Sequence, residues 1–374
     1  MNFIMIQKYF ERITDKRQEW KTKHNLLEII VMTICAVVAE CEAWYQIEEY
    51  CEEKESWFKE KLGLKLENGI PSHDTFERVF AMIDPKEMEN CFMSWIRAVK
   101  QHTNGEIVSI DGKTICASRE DNKRAIHMVS AWANANKVVL GQVRINEKSN
   151  EITAIPALIE MLALKGCIVT IDAMGCQKEI AQKISDKEAE YVLSLKGNQS
   201  SLNDDVVRYF ETAIKERQFY PDIEDKTTQD NGHGRIEKRK YYLTNDIEWL
   251  NQKRDWKNLR SIGMVKSIIK ENGEKREESR YFITSLTDIE TFSKAVRSHW
   301  GIENGLHWVL DVAFNEDRCR MRKDNSGENF AVIRHIALNL LKQDDSKLSI
   351  KAKRHKCAYS DRFLYKILFE NDMM

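Results

Sequence analysis

Two hydrophobic patterns divide the chain near residue 104. In residues 1–104 the apolar positions recur every three or four residues, most clearly through residues 26–38, which predicts an all-α N-terminal domain. Beyond residue 104 the apolar positions gather in short runs rich in β-branched side chains, which favour strands. These strand-like runs are residues 106–111, 126–132, 137–144, 167–173 and 191–195, and helix-like stretches at 151–164 and 177–185 separate the last three.

The order of these elements predicts an α/β fold. Three strands, a helix, a strand, a helix and a strand are expected of a ribonuclease-H-like core, in which helices flank a mixed sheet. We assign residues 105–342 to this core. A polar and basic segment at 204–285 has three strand-like pieces and is interpreted as a β-rich insertion. Two helices, at 292–314 and 328–341, are expected to complete the core before a basic C-terminal tail at 343–374.

The composition is that of a folded protein. Of the 374 residues, 42% are hydrophobic and 31% are charged, which provides enough apolar surface for a core. The longest apolar stretch, residues 26–39, is interrupted by Glu28 and is shorter than the ~20 residues of a membrane helix. The 9 cysteines include no CxxC pair, which disfavours a disulfide framework and a structural zinc site. We therefore expect a soluble, cytoplasmic protein without a membrane partner.

The net charge of −1 conceals two basic regions. Residues 232–281 carry 13 Lys or Arg against 8 Asp or Glu, and residues 318–356 carry 11 against 4. Residues 1–104 carry 14 against 18, although the first 24 residues carry 6 against 3. Local basic patches within a neutral chain fit a polyanionic partner that is held at defined places. The alternative interpretation of each patch is an ordinary solvated surface.

Two aspartates follow apolar runs of the predicted core. Asp111 and Asp172 are each expected at the end of a strand, the first and the fourth. Carboxylates in such places are costly to bury unless they are paired or bound to cations. In a sheet of this order the first and fourth strands are neighbours, so the two aspartates could share a metal ion. A pair of capping aspartates is the alternative.

A third group of polar residues follows at 299–311. His299, Glu303, His307 and Asp311 recur every four residues and would lie along one face of a helix, with Asn304 beside Glu303. This face could bind a metal ion, although each histidine taken alone is more often a hydrogen-bonded core residue. The glycines at 301 and 305 weaken the helix, so its register is open. The tryptophans at 300 and 308 are expected to be core residues.

The three acids Asp111, Asp172 and Glu303 would form a metal site of oxygen ligands. Such a site suits two Mg²⁺ ions, for which Mn²⁺ can substitute, rather than zinc. Two ions of this kind clamp the attacking and leaving oxygens of an in-line phosphoryl displacement. The residues therefore predict phosphoryl transfer, with His299, His307, Asp311 and Asn304 around the metal ligands.

Several basic and amide residues near these acids are candidate contacts to phosphate groups. Each is weak evidence alone, and their value lies in flanking the proposed acid site from several directions. These candidate phosphate contacts are Lys113, Lys196, Asn198, Gln199, Arg235, Arg318, Arg320 and Arg322.

At these residues the chain closely resembles the ISAs-type insertion-sequence transposases, also called H-repeat-associated proteins. These are DDE transposases with a ribonuclease-H-like core, and the resemblance covers nearly the whole chain. The matching motifs are NGIPSHDTF at 68–76, DGKT at 111–114, TIDAMGCQ at 170–177, LKGNQ at 195–199, GHGR at 232–235, HWGIENGLHW at 299–308, LDV at 310–312 and NLL at 339–341.

The resemblance implies that Asp111, Asp172 and Glu303 are the catalytic acids and the ligands of the metal. It implies Mg²⁺-dependent cleavage at transposon ends, followed by strand transfer into target DNA. The partners would be double-stranded DNA, both terminal inverted repeats and target, so that the protein associates with the nucleoid. The candidate phosphate contacts would then be DNA-binding residues. Because two ends must be processed, a dimer is expected in the working complex.

Two departures and two alternatives accompany this prediction. The family often carries a basic residue after the DGKT motif, where this chain has Ile115, and the Tyr-Arg-Glu-Lys signature of neighbouring families is absent around Glu303. One alternative is a transposase-derived DNA-binding protein that has lost its chemistry. The other is a metallohydrolase that uses His299, Glu303 and His307 on a small substrate.

Overall fold

Six helices form the N-terminal part of the chain. The structure, a computed structural model, describes residues 2–99, 105–115, 126–145, 151–232, 235–271 and 274–370. Helix α2 is almost entirely buried, and Asn25 caps its N-terminus by accepting a hydrogen bond from the backbone N–H of Glu28. The N-terminal helices are α1 (Asn2–Phe10), α2 (Leu26–Val38), α3 (Trp44–Glu53), α4 (Glu55–Leu62), α5 (His73–Met82) and α6 (Pro85–Val99).

A single sheet of nine strands follows in the described part of the chain. The strands lie in the order β3-β2-β1-β4-β5-β9-β8-β7-β6, in which β1 is parallel to β4 and β4 to β5, while the other neighbours are antiparallel. The strands are β1 (Ile107–Ile115), β2 (Ile126–Ala133), β3 (Val138–Arg144), β4 (Ile168–Ile171), β5 (Glu190–Leu195), β6 (Glu224–Gly232), β7 (Arg235–Thr244), β8 (Ser261–Glu271) and β9 (Glu274–Thr284).

The core half of this sheet agrees with the predicted element order. Helices α7 (Glu151–Met161) and α8 (Lys178–Asp186) connect β3 to β4 and β4 to β5, as the sequence pattern predicts. The ribonuclease-H-like α/β core, a mixed sheet flanked by helices after an all-α N-terminal region, is confirmed. One detail was wrong, because Asp111 does not end its strand. Strand β1 continues to Ile115 and pairs with β2 along this extension.

The insertion contains more regular structure than its sequence pattern indicates and is continuous with the core sheet. It contains helix α9 (Ser200–Lys215) and the four strands β6 to β9, and β9 joins the sheet by pairing with β5. The prediction of three short strand-like pieces missed β6 and shortened the others. Strand β6 has the sequence EDKTTQDNG, in which no apolar residue reveals an alternating pattern.

The helix that closes the predicted core lies between the sheet and the N-terminal helices. Helix α12 (Ser326–Lys342) is buried over nearly its whole length. Its Asn329 donates hydrogen bonds to the backbone carbonyls of Phe80 and Ile83, and its Asn339 donates to Val139 of β3. One cluster of buried apolar residues therefore extends from the N-terminal helices through the sheet. The domain boundaries at 104 and 342 remain a prediction.

The segment expected to be a basic tail is folded where the structure describes it. Helices α13 (Ile350–Tyr359) and α14 (Asp361–Tyr365) follow α12, and Lys366–Glu370 continues as a π-helix. The guanidinium of Arg354 is fully buried and donates to the carbonyl of Val37 at the end of α2, while Nη1 donates to Ala313. None of the helices in the described ranges has the length and apolar character needed to cross a membrane.

Candidate active site

Asp111 lies at a partly buried point where two parallel strands end their pairing. The last partners in the β1–β4 register are Ile110 and Ile171, so Asp111 and Asp172 are the next residues along the two strands. Burial raises the pKa of Asp111 to about 7, against the effect of a hydrogen bond from its own neighbour Gly112. The negative charges of Asp172, Glu151 and Glu303 raise it too. Acidic groups therefore surround Asp111.

Asp172 begins a loop whose shape is fixed by side chains from the end of β5. Its Oδ1 accepts hydrogen bonds from the backbone N–H groups of Met174 at 3.0 Å and Gly175 at 3.4 Å. Burial raises the pKa of Asp172 as well, and the positive charge of Lys196 opposes this. The sheet and its loop thus set the position of this carboxylate.

Two of the predicted DNA-binding residues hold this loop from the other side. Asn198 Nδ2 donates to the carbonyl of Ala173 at 2.6 Å, and Gln199 Nε2 donates to the carbonyl of Cys176 at 3.0 Å. Their amide groups are therefore engaged within the protein. Lys196 precedes them and is exposed beside Asp172. The positioning of the Asp172 loop was not expected from the sequence, whereas contact with DNA remains a prediction for all three.

The third acid lies on a helix that changes its winding. Helix α10 (Ile289–Ile302) passes at Glu303–His307 into a π-helical turn, which continues as α11 (Trp308–Phe314). Single π-turns inside α-helices occur frequently at functional sites. The turn contains Glu303, whose side chain is 54% exposed. The open register that the glycines indicated in the sequence therefore corresponds to a real irregularity.

The glycines beside Glu303 allow the helix to approach the sheet closely. A Cβ atom on Gly301 would lie 2.0 Å from Oδ1 of Asn134, and one on Gly305 would lie 2.8 Å from the ring of Trp132. Neither distance is compatible with a side chain unless the neighbours move. These two glycines therefore bring the Glu303 turn against β2 and towards Asp111 on β1.

Asp111, Glu303 and His307 form a group that could hold a metal ion. One ligand atom from each residue lies within 4.8 Å of the others. His307 Nδ1 is 3.2 Å from Oε2 of Glu303 and 3.7 Å from Oδ2 of Asp111, and burial lowers the pKa of this histidine. Two carboxylates and a neutral imidazole are suitable donors for a divalent cation. The residues present thus fit a divalent cation, although the group contains His307 in place of Asp172.

The remaining polar residues of the α10–α11 face contact other partners. His299 Nδ1 lies 2.9 Å from Oγ1 of Thr170 on β4, and burial lowers the pKa of His299 to about 4. Asn304 is exposed and donates to the carbonyl of Trp300, one turn earlier. The predicted stripe does face the core sheet, but its residues do not converge on one point.

Lys113 is held by carboxylates, although the sequence predicts a contact to DNA. Its Nζ lies 2.9 Å from Oε2 of the buried Glu316, and it also contacts Asp311 and Asp317. Burial alone would raise the pKa of Glu316, but Lys113 and Arg334 bring it below its ordinary value. Lys113 thus connects β1 to the end of the active-site helix, and its contact with DNA remains a prediction.

A fourth acid near the site was not identified from the sequence. Glu151 begins α7, and its Oε1 lies 2.7 Å from Nε2 of His127, whose Nδ1 lies 2.7 Å from Oγ1 of Thr114. A Cβ atom on Gly112 would lie 2.2 Å from the same Glu151 oxygen. The glycine after Asp111 was a possible signal, since it allows this close approach. Nothing in the spacing of Glu151 pointed to it.

The expectation that both tryptophans of the 299–311 segment are core residues was wrong. Trp300 is 45% exposed and Trp308 is 58% exposed. The guanidinium of Arg280 on β9 lies 4.9 Å from the centre of the Trp300 ring. A cleft of about 290 Å³ runs beside this pair and is lined by Arg235 and Asn304 among other residues. Exposed aromatic rings and arginines therefore lie next to Glu303.

Arg235 and the predicted arginines after α11 lie near the surface. Arg235 is exposed on β7 and lies 3.1 Å from Glu237. Arg318 and Arg320 are exposed, and Arg322 is partly buried. We call residues 318–322 the arginine segment. Contact with DNA remains a prediction for these four arginines.

The fold and this site define a class of protein. A ribonuclease-H-like sheet with two acids level on adjacent parallel strands, and a third acid on a later helix, is typical of enzymes of phosphoryl transfer on nucleic acids. The family comparison agrees. Residues 102–340 match the model of the transposase DDE domain, and residues 7–96 match the model of the region associated with that domain. The chain belongs to this family of DDE transposases.

Individual relatives confirm the resemblance to the H-repeat-associated proteins. The chain is 42% identical to the putative transposase YncI of Escherichia coli O157:H7, over 98% of this chain and 95% of that protein. It is 38% identical to the H repeat-associated putative transposase YhhI of Escherichia coli K12, over 98% of each chain. A cryo-EM structure of the piggyBac transposase synaptic complex with hairpin DNA aligns with 10% identity and a TM-score of 0.39, over 99% of this chain and 77% of that one.

Proposed function

We propose that this protein is an active DNA transposase, which cleaves the ends of an insertion sequence and joins them to target DNA. Asp111, Asp172 and Glu303 are the catalytic acids of this proposal. The observation that supports it best is the β1–β4 register, which makes Asp111 and Asp172 neighbours, together with the π-turn that brings Glu303 to Asp111. Family membership supports the same activity.

The raised pKa values of the two aspartates support a cationic partner. Two neighbouring carboxyl groups whose pKa values are raised by burial are destabilising when both are ionised, and a divalent cation would compensate their charge. Asp111, Glu303 and His307 would hold such an ion, with Asp172 completing the set. When bound, Mg²⁺ or Mn²⁺ would supply the charge stabilisation and the activated oxygen of phosphoryl transfer.

The protein's own residues orient these groups. The backbone N–H groups of the Asp172 loop hold one carboxylate in place, and Asn198 and Gln199 hold the loop. His307 positions Glu303, and its Nε2 is buried without a hydrogen-bond partner in the described part of the protein. The other ring nitrogen, Nδ1, faces the carboxylates of Glu303 and Asp111, which supports a role for His307 in the metal site, either as a ligand or as the residue that orients Glu303.

Double-stranded DNA is the proposed substrate. The cleft beside Glu303 is lined by arginines and by the exposed ring of Trp300, which suits phosphate groups and the faces of bases. Two transposon ends must be processed in one reaction, so we propose a dimer as the working complex.

The test is metal-dependent nicking of duplexes that carry the ends of the element. The wild type, Asp172→Ala and a control, Asp186→Ala, would be compared with Mg²⁺, with Mn²⁺ and with EDTA; Asp186 is an exposed acid at the end of α8. We expect nicking by the wild type and the control, none by Asp172→Ala, and none in EDTA. Binding without nicking by the wild type would favour the inactive DNA-binding alternative.

A further inference from the structure

We propose that a basic cleft in the N-terminal helices binds the phosphate backbone of the transposon end. This inference rests on the proposed function and assigns a role to the region before the DDE domain. The cleft, which we call the N-terminal cleft, has a volume of about 710 Å³ and lies between the segment 16–24 and helix α5. It is lined by Lys16, Arg17, Gln18, Lys21, Thr22, Lys23, His24, Ser72, Thr75, Arg78, Val79 and Met82.

The charge of this lining has one sign. Five of the twelve lining residues are Lys or Arg, and none is Asp or Glu. Arg17 is paired with Asp15 at 2.6 Å, and Lys16 lies 3.5 Å from Asp84. Among the residues that the structure describes, the other three cations (Lys21, Lys23 and Arg78) have no carboxylate within ion-pair distance. Their charge is available to an anionic partner.

In the insertion, whose sequence is also basic, ion pairs engage 7 of the 13 Lys and Arg of residues 232–281. Arg239 is paired with both Asp230 and Glu237, and Lys266 is paired with Glu277 on the adjacent strand. Ion pairs within and between the strands thus use part of the positive charge of the sheet. The first 24 residues of the chain carry 6 Lys or Arg against 3 Asp or Glu, and two of these cations, Lys21 and Lys23, line the N-terminal cleft without an ion pair.

Neutral donors and an aromatic ring complete the site. The hydroxyl groups of Ser72 and Thr75 lie 3.2 Å apart at the start of α5, and Arg78 Nη2 donates to the Thr75 oxygen. Trp20 does not line the cleft but contacts one of its cations: its side chain is 78% exposed, and Nζ of Lys21 lies 4.4 Å from its ring centre. Protein contacts to DNA backbone use such a mixture of Lys, Arg and hydroxyl side chains.

Helix α5 connects the N-terminal cleft to the candidate active site. One side of α5 lines the cleft, and another contacts the chain just after the arginine segment. Lys323 lies 3.2 Å from Glu77 of α5, and Asn325 Nδ2 donates to the carbonyl of Ile83 at the end of this helix. Helix α5 therefore contacts both the N-terminal cleft and the chain next to the arginine segment, so one duplex bound at both places would pass along this helix.

DNA binding measured in EDTA tests the cleft independently of cleavage. Lys21→Glu/Lys23→Glu and Arg78→Glu would be compared with the wild type and with Lys61→Glu/Lys65→Glu, a control with the same charge change at exposed positions of the N-terminal region outside the cleft. The affinity for an end duplex would be measured over a series of salt concentrations. Lys21→Gln/Lys23→Gln provides a milder variant, and thermal melting would show that each variant is folded.

We expect the cleft double variant to bind end DNA about tenfold or more weakly than the control. The slope of its salt dependence should fall by about 0.9 for each phosphate group that the variant no longer neutralises. A photo-crosslinking side chain at position 21, but not one at position 61, should attach to the duplex.

Equal affinity and salt slope in the cleft variants and the control would overturn the inference, even if the wild type nicks DNA. If the wild type binds but never nicks, the proposed function fails, while weaker binding by the cleft variants still supports the cleft.

Discussion

The two sides of the candidate active site are built differently. Asp111 and Asp172 belong to neighbouring parallel strands, are partly buried, and are fixed by the sheet and its loop. Glu303 lies on a π-turn, is more than half exposed, and contacts His307 on its own helix. The sheet side is therefore formed before any ligand binds, and burial makes its two carboxyl groups costly to ionise. The helix side supplies Glu303, whose carboxylate stays largely in contact with solvent. The position of Glu303 depends on the close packing of the helix against β2.

The first prediction, with the largest expected effect, compares the loss of nicking with the change in stability for one acid from each side. Asp111→Asn and Glu303→Gln each remove a carboxylate with little change of shape, so we expect nicking to fall by more than about a hundredfold in both. Only Asp111→Asn removes a charge that burial disfavours, so it alone should raise the melting temperature of the metal-free protein at pH 8. Nicking assays and thermal melts of both variants would measure this. A similar rise in melting temperature for Glu303→Gln would contradict the proposed difference.

The second prediction tests the packing on which Glu303 depends. Gly301→Ala and Gly305→Ala would place a Cβ against Asn134 and Trp132, which we expect to cost about 1–3 kcal/mol of unfolding free energy and to displace Glu303. Nicking should fall while binding of DNA in EDTA persists. Gly197→Ala is the control, because no atom lies within 4 Å of the added Cβ and the residue is outside the helix. Unchanged stability in both helix variants would show that the helix can move away from β2 at no cost.

The third prediction concerns pH. Folding raises the pKa of Asp111 from 3.8 to about 7, so the folded state binds this proton more tightly than the unfolded state. The stability of the metal-free protein should therefore fall as the pH rises from about 4 to about 7. Mg²⁺ or Mn²⁺ competes with the proton, so the increase in melting temperature on adding metal should be larger at pH 8 than at pH 6. In Asp111→Asn this dependence should be much weaker, and an equal pH dependence in the variant would exclude Asp111 as its source.

The smallest effect is expected for the support of the Asp172 loop. Asn198→Ala removes the hydrogen bond to the carbonyl of Ala173, which we expect to cost about 0.5–1.5 kcal/mol. If the amide serves mainly to position Asp172, the variant should bind DNA normally and require a higher concentration of metal for nicking. Reduced binding in EDTA with an unchanged metal requirement would instead identify Asn198 as a DNA contact.

The elements that the sequence predicted well are those whose apolar residues face a core on a regular period. Strands β1, β4 and β5 are short buried runs, and their order along the chain is enough to predict that Asp111 and Asp172 are neighbours. Strand β6 lacks this signal because both of its faces are polar. For the same reason the number of strands in the insertion could not be predicted from the pattern.

The sequence identified the three candidate acids, but it predicted the residues around them less well. The three acids were identified from strand ends and helical spacing, and their catalytic role remains a proposal. Trp300 and Trp308 were expected in the core because large aromatic residues are usually buried, yet the π-turn region leaves both exposed. Glu151 and His127 are 24 residues apart in sequence and meet only through the packing of α7 beside β2, so no local pattern could have joined them.

Because the nine strands form one continuous sheet, the twist of the sheet affects the direction from which another molecule can reach the insertion. Adjacent strands in protein sheets are rotated by about 20–25° on average, and four steps separate β5 from β6, so a sheet of average twist would turn by about 90° across the insertion. With that twist the outer strands would face a direction roughly perpendicular to the face that carries Asp111 and Asp172. A molecule that rests on the outer hairpin would meet the protein from the side, at a right angle to one that enters over the acids.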